Sequence, residues 1–289
     1  MTGSLSNTLR IVDPEYEAGP ESKKNLSIGL LPGGFVFSVI DLERYRYTAL
    51  EEYVQPVDDA PYSYLDALPA LCRGHRLLKG GFEKISLSYY TPELILLPLD
   101  LFNTSDSGML PDLLGQAGHK TLIRHDILNI LGASGVYLAD REAIRVCDSL
   151  FPTYRLRHHG SVLIENILAS QKLDNWRADL VIHLHDRYFE LVLLKKQQLI
   201  LYRSYHVRSF EDLLYYVFHV LQELNLRPSG LTCMLTGKIA MDTLEYESLK
   251  AYFRQTGFPE KNDMYTYPPA FDQVPYHYYF NLLNLDTCG

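Results

Sequence analysis

The chain has 289 residues, 47% hydrophobic and 21% charged, enough to bury a large core in two lobes. A formal net charge of −8 excludes a general nucleic-acid or anionic-membrane binder, because neutralising phosphates takes a surplus of lysine and arginine. Cys72, Cys147, Cys233 and Cys288 lie far apart without a CxxC pair, which argues against a disulfide framework or a zinc site; the lack of an 18-residue apolar run argues against direct membrane insertion and for a reducing, cytoplasmic setting.

Residues 1–24 are polar, contain Pro14, Gly19 and Pro20, and read as a mobile arm in which 9–12 can dock. The alternating runs 26–31, 35–40 and 45–54, broken by Pro32-Gly33-Gly34 and the polar 41–44, predict a three-stranded meander. Residues 62–78 are helical in character with a kink at Pro69. Strands are expected at 84–90 and 93–97, a loop at 103–108, a short helix at 110–116, and strands at 121–131 and 135–138. Asp140 caps a helix that ends at Leu150, 154–157 is a strand and 161–170 a helix.

A second meander follows. Leu180, Ile182 and Leu184 alternate with Val181, His183 and His185; after Asp186-Arg187 come strands at 188–194 and 199–207, separated by 196–198. Ser209 then caps a helix with Asp212 as its capping partner, and Phe210, Leu213, Leu214, Val217, Phe218, Leu221 and Leu224 form one face. Burying seven such side chains is worth roughly 10 to 20 kcal/mol gross, far more than capping supplies, so packing fixes this helix. Pro228-Ser229-Gly230 stop it, and a strand over 231–235 runs into Thr236-Gly237. Laying Leu26 on Leu180 without a gap matches Ile28 with Ile182, Leu30 with Leu184 and Phe35 with Phe189, and the turns coincide, so the meander reads as an internal repeat.

A three-stranded meander followed by a helix and a further strand, present in two halves, resembles the actin-like ATPase fold of actin, Hsp70 chaperones and sugar kinases, an α/β, two-lobed, ribonuclease H-like architecture. The chain is similar to an uncharacterised family of bacterial cytoplasmic proteins with this fold and, more distantly, to PilM-type pilus and type II secretion assembly proteins. The resemblance implies a first lobe over 25–172, a second over 173–264, and an aromatic C-terminal tail over 265–289.

It also implies where nucleotide would be held. The Asp-x-Gly of the second meander falls on His183-Leu184-His185, which lacks both the acid that organises magnesium and the glycine; Gly29 and Leu31 of the first meander likewise bring no acid. The glycine pair before the helix falls on Arg208-Ser209, and the adenosine turn on Thr236-Gly237-Lys238 keeps one glycine. One carboxylate about 4 Å from a cation contributes about 4 kcal/mol at an effective dielectric near 20, so losing it weakens binding close to a thousandfold. These positions therefore form a vestigial cleft, and no cofactor is expected; the alternative is ATP with magnesium, held by Arg208 and Lys238 in place of the backbone turns.

His183 and His185 share a strand face, a spacing that suits a metal, but no later acid or histidine completes a set, so no metal is assigned. His158-His159 read as surface residues of a connection. The 22 tyrosines are well above the number a chain of this size usually holds, and the tail carries Tyr265, Tyr267, Phe271, Tyr276, Tyr278, Tyr279 and Phe280. Rigid aromatics among prolines suit an interface, so the tail either packs on its own lobe or docks a protein partner or a second copy. The expected function is a non-catalytic interaction or scaffolding module; the alternative is an ATPase or kinase-like protein with an altered phosphate site.

Overall fold

The computed structural model describes residues 5–15, 23–56, 63–79, 81–101, 120–170 and 177–288. The chain divides into two compact units: Met1–Val162 with Asn262–Gln273 and Asn281–Gly289, and Leu163–Lys261 with Val274–Phe280. The expected loop at 103–108 and helix at 110–116 lie outside the described residues.

In the first unit the alternation of 24–54 produces β2 (Lys24–Leu31), β3 (Gly34–Asp41) and β4 (Arg46–Val54), paired antiparallel in sequence order. The sheet is extended by β1 (Ser6–Val12) antiparallel on β4, and by β5 (Lys84–Tyr89) and β9 (Arg155–His158), both parallel, in the order β1-β4-β3-β2-β5-β9. Residues 6–12 are thus an edge strand rather than part of a mobile arm: Ile11 is buried and Arg10 reaches the buried Glu51 at 3.3 Å.

Leu26, Ile28, Leu30, Phe35, Phe37 and Val39 point to one face, against a 3-10 turn at Ser63–Asp66, α1 (Leu68–Gly74) and α2 (Arg141–Leu150). Pro69 sits in the first turn of α1, where its missing N–H has no intrahelical partner to lose, so it starts the helix instead of kinking it. Asp140 caps α2 by accepting from the amides of Glu142 and Ala143. A second sheet, β6 (Ile95–Pro98), β8 (Ala133–Asp140) and β7 (Thr121–Leu128) in that order, completes this unit. α3 (His159–Ser170) follows β9.

The second unit repeats the scheme. β10 (Leu180–Leu184), β11 (Tyr188–Lys195) and β12 (Gln198–His206) form the meander, and β13 (Thr232–Gly237) and β14 (Gln255–Gly257) add in parallel, giving β12-β11-β10-β13-β14. Leu30 pairs with Phe35 as Leu184 pairs with Phe189, and the bulge after Val39 recurs after Leu193, at the spacing that separates Leu26 from Leu180. α4 (Phe210–Glu223) buries Leu213, Val217, Val220 and Leu221 on this sheet, whereas Leu224, assigned to its apolar face from periodicity, is exposed beyond the last turn. α5 (Leu244–Tyr252), which apolar periodicity did not single out, is capped by Thr243 and contributes Leu249 to the core.

Candidate functional site

The end of β10 in the second unit carries the positions that the resemblance singled out. His183 lies between Glu190 on β11 and Thr236 on β13, and its Nδ1 is 2.7 Å from the Thr236 hydroxyl with both side chains buried. Glu190, fully buried, receives His185 Nε2 at 3.0 Å on one oxygen and the Tyr202 hydroxyl on the other. The His185 ring stacks on Tyr188 at 4.0 Å. The corner thus carries two side-chain hydrogen-bonded groups, and both oxygens of Glu190 accept within it.

Gly237 adopts φ +81°, and a Cβ there would stand 2.1 Å from the Leu184 carbonyl oxygen; the amide of Lys238 donates to that same oxygen at 3.1 Å. The glycine serves the close approach of β13 to β10. The Lys238 ammonium lies 5.2 Å from the centre of the Tyr279 ring, in cation–π contact. Arg208 and Ser209 are elsewhere: both are exposed and cap α4, the Arg208 amide on Asp212 Oδ2 and the Ser209 hydroxyl on the Asp212 amide. Two strands stand between β12 and β13, so the ends of those two strands lie three strand spacings apart, on the order of 14 Å.

In the first unit a Cβ on Gly29 would meet Val36 Cγ1 at 3.0 Å and the Tyr90 ring at 3.2 Å, so a side chain at this position would require both neighbours to give by a few tenths of an ångström. Leu31 is half-buried and its carbonyl takes the Tyr64 hydroxyl at 3.0 Å. Tyr90 in turn stacks on His159 at 4.5 Å. His158 and His159, expected at the surface, are fully buried: each places Nε2 within 2.9 Å of the Thr91 carbonyl, and His158 Nδ1 accepts from the Gly160 amide. A protein of unknown function family, DUF3822, matches residues 13–256, most of the chain.

The chain belongs to DUF3822. Its fold is the actin-like ATPase fold. It is similar to a Bacteroides thetaiotaomicron protein with that fold and unknown function, at 18% identity and a TM-score of 0.73 over 93% of this chain and 97% of that one. It is also similar to a chain of the PilM-PilN type IV pilus biogenesis complex (10% identity, TM-score 0.61, 92% and 98% covered) and to the ethanolamine utilization protein EutJ of Carboxydothermus hydrogenoformans (12%, 0.50, 96% and 93%). No curated protein matches it.

The aromatic tail of this DUF3822 chain packs on the chain itself, the first of the two alternatives the sequence left open. Tyr47 is the anchor in the first unit: its ring meets Tyr265, Tyr267 and Phe271 at 5.4, 5.1 and 5.9 Å, and its hydroxyl donates to the Leu283 carbonyl. Asp286 accepts from Asn25 at 2.7 Å and from the Tyr265 hydroxyl at 2.8 Å; burial and this acid raise the Tyr265 phenol above its ordinary pKa. In the second unit Tyr279 and Phe280 are buried, while Tyr276 and Tyr278, like Tyr267 in the first, are half-buried.

His277 fixes the tail to the turn after β13. Its Nε2–H donates to the Ile239 carbonyl at 2.7 Å and its ring stacks on Phe258 at 3.8 Å. Burial lowers its pKa below the ordinary 6.5, against the opposing pull of that hydrogen bond. A depressed folded-state pKa gives stability that is complete above 6.5 and lost as pH falls toward the folded value. Unfolding free energies across pH 5 to 8 should therefore show the wild type losing ground to His277→Gln on acidification, by at most about 1.4 kcal/mol per pH unit. A pH-independent difference between the two would contradict this.

A cleft of about 520 Å3 opens elsewhere in the first unit, lined by Arg124 and His125 of β7, Tyr137 of β8, Asp148 of α2, Leu156 of β9, and 151–154. Its one lining carboxylate, Asp148, accepts the Tyr154 hydroxyl at 2.7 Å.

Proposed function

We propose that this protein is a non-catalytic interaction module of the actin-like fold that works by binding a protein partner and without magnesium-nucleotide. The observation that carries this reading is the filling of both phosphate-facing positions by the chain's own side chains, Tyr90 over Gly29 in one unit and the His183–Thr236 and His185–Glu190–Tyr202 bonds in the other. Introducing phosphate there would break buried hydrogen bonds and offer magnesium no carboxylate at 29, 31, 183 or 185. The shared register and bulge of the two meanders support an internal duplication. The likeness to a chain of the PilM-PilN complex supports a protein as partner. Among the described residues no helix is long and apolar enough to cross a membrane, and we place the protein in the cytoplasm on the composition argument above.

Calorimetry and thermal unfolding with ATP, ADP and magnesium test this. Millimolar nucleotide should give no saturable heat and no shift, whereas a ligand at a hundredfold its Kd would stabilise by about 2.7 kcal/mol. Saturable binding that disappears in both Arg208→Ala and Lys238→Ala would overturn the reading.

A further inference from the structure

We propose that the cleft of the first unit binds a small monocarboxylate with a ring-sized apolar body; the assignment goes beyond the interaction-module reading and does not rest on it. Strand register sets the polar end of the site. Arg124 of β7 is paired across the antiparallel ladder with Tyr137 of β8, so the two side chains leave the same face of the three-stranded sheet side by side. Both line the cleft, whose remaining lining includes Phe151, Pro152, Tyr154 and Leu156. The Arg124 guanidinium lies near enough to the Tyr137 and Tyr154 phenols to oppose the rise in pKa that burial gives each of them, which places it between the sheet and residue 154.

Two donors there have no protein acceptor. Tyr137 is 1% exposed and its hydroxyl makes no hydrogen bond among the described residues, yet that oxygen is not sealed from solvent. Burial keeps the phenol protonated, so it donates. Arg124 makes no ion pair or hydrogen bond among the described residues; its Nε is sealed inside, and its two Nη groups stay accessible. A carboxylate seated against the Nη groups and the phenol accepts from both, in charge-assisted bonds stronger than a neutral carbonyl would make. The acid of the lining, Asp148, is exposed and holds the Tyr154 hydroxyl at 2.7 Å. The walls call for an apolar body: Phe151 and Tyr154 meet edge to face at 6.4 Å beside Pro152 and Leu156. An apolar cavity of about 150 Å3 takes one benzene, so about 520 Å3 holds a ring together with a short chain that carries the carboxylate.

The test uses the full chain and 3-phenylpropionate, with 3-phenylpropanamide as its neutral counterpart, followed by saturation-transfer NMR and calorimetry up to about 10 mM ligand. The acid should bind saturably and the amide about tenfold or more weakly, the difference that one charged hydrogen bond makes. Tyr137→Phe removes a hydroxyl that holds no protein group, so it should fold as the wild type does and bind the acid about fivefold more weakly. Arg124→Gln should weaken binding about tenfold or more. No saturable binding, equal binding of acid and amide, or wild-type affinity in Tyr137→Phe overturns the assignment. Displacement of the acid by an equal concentration of inorganic phosphate, which has no apolar body, overturns it as well. The nucleotide titration is read separately, through Arg208→Ala and Lys238→Ala, so either reading can fail alone.

Discussion

Gly237→Ala is expected to be the most damaging single-methyl change in the second unit. At φ +81° an L-residue pays roughly 1 to 2 kcal/mol for the left-handed backbone alone. The new Cβ would also stand 2.1, 2.8 and 3.0 Å from the carbonyl oxygen, amide nitrogen and carbonyl carbon of Leu184. These are backbone atoms of a buried parallel pair and cannot rotate away, so β13 must shift off β10. A loss above about 4 kcal/mol in urea unfolding is expected, in the range reserved for core disruption. Gly132→Ala is the control. That glycine also has positive φ, +59°, but nothing lies within 4 Å of its Cβ, so only the backbone cost of about 1 to 2 kcal/mol should appear. Equal losses at the two sites would show that conformation, and not the Leu184 contact, sets the effect.

Tyr47→Ala is expected to cost about 3 to 5 kcal/mol and to free the tail of the first unit. The ring is fully buried, packs on Tyr265, Tyr267 and Phe271, and holds the Leu283 carbonyl. Tyr47→Phe keeps the packing and leaves that carbonyl without its donor, for a loss of about 1 to 3 kcal/mol. Limited proteolysis under native conditions distinguishes the two: cleavage within 262–273 should accelerate strongly in the alanine variant and weakly in the phenylalanine one. Wild-type protection of 262–273 in Tyr47→Ala would mean that other contacts hold the tail.

Local patterns of the chain were enough for elements whose burial repeats along the strand or helix. Leu26, Ile28 and Leu30, and their counterparts Leu180, Ile182 and Leu184, alternate because one sheet face is core, and the coincident turns carry the repeat down to the bulge. Ser209 and Asp212 announce the start of α4 in the same way. Even there the pattern misplaces the end: Leu224 has the right spacing but no sheet under it, while Val220 does. α5 presents one fully buried residue, Leu249, and so has almost no periodicity to read, although its Thr243 cap stands in the sequence.

What only the tertiary structure decided concerns residues whose environment is made by distant parts of the chain. Glu190 is the lone acid in an apolar strand and could have been flagged as a buried partner. That it joins His185 to Tyr202 depends on the register of two hairpins. His158 and His159 look like surface residues because polarity suggests exposure; they are buried because the Thr91 carbonyl, far along the chain, meets both rings. An aromatic tail can satisfy its hydrophobicity on its own chain or on another, and composition is the same in either case. Tyr47 decides it here, by presenting both a ring and a hydroxyl to the returning segment. Periodicity reports how a segment meets its nearest layer, whereas closure of a hydrogen-bond network depends on which remote segments are brought together, and that is set by the sum of the packing.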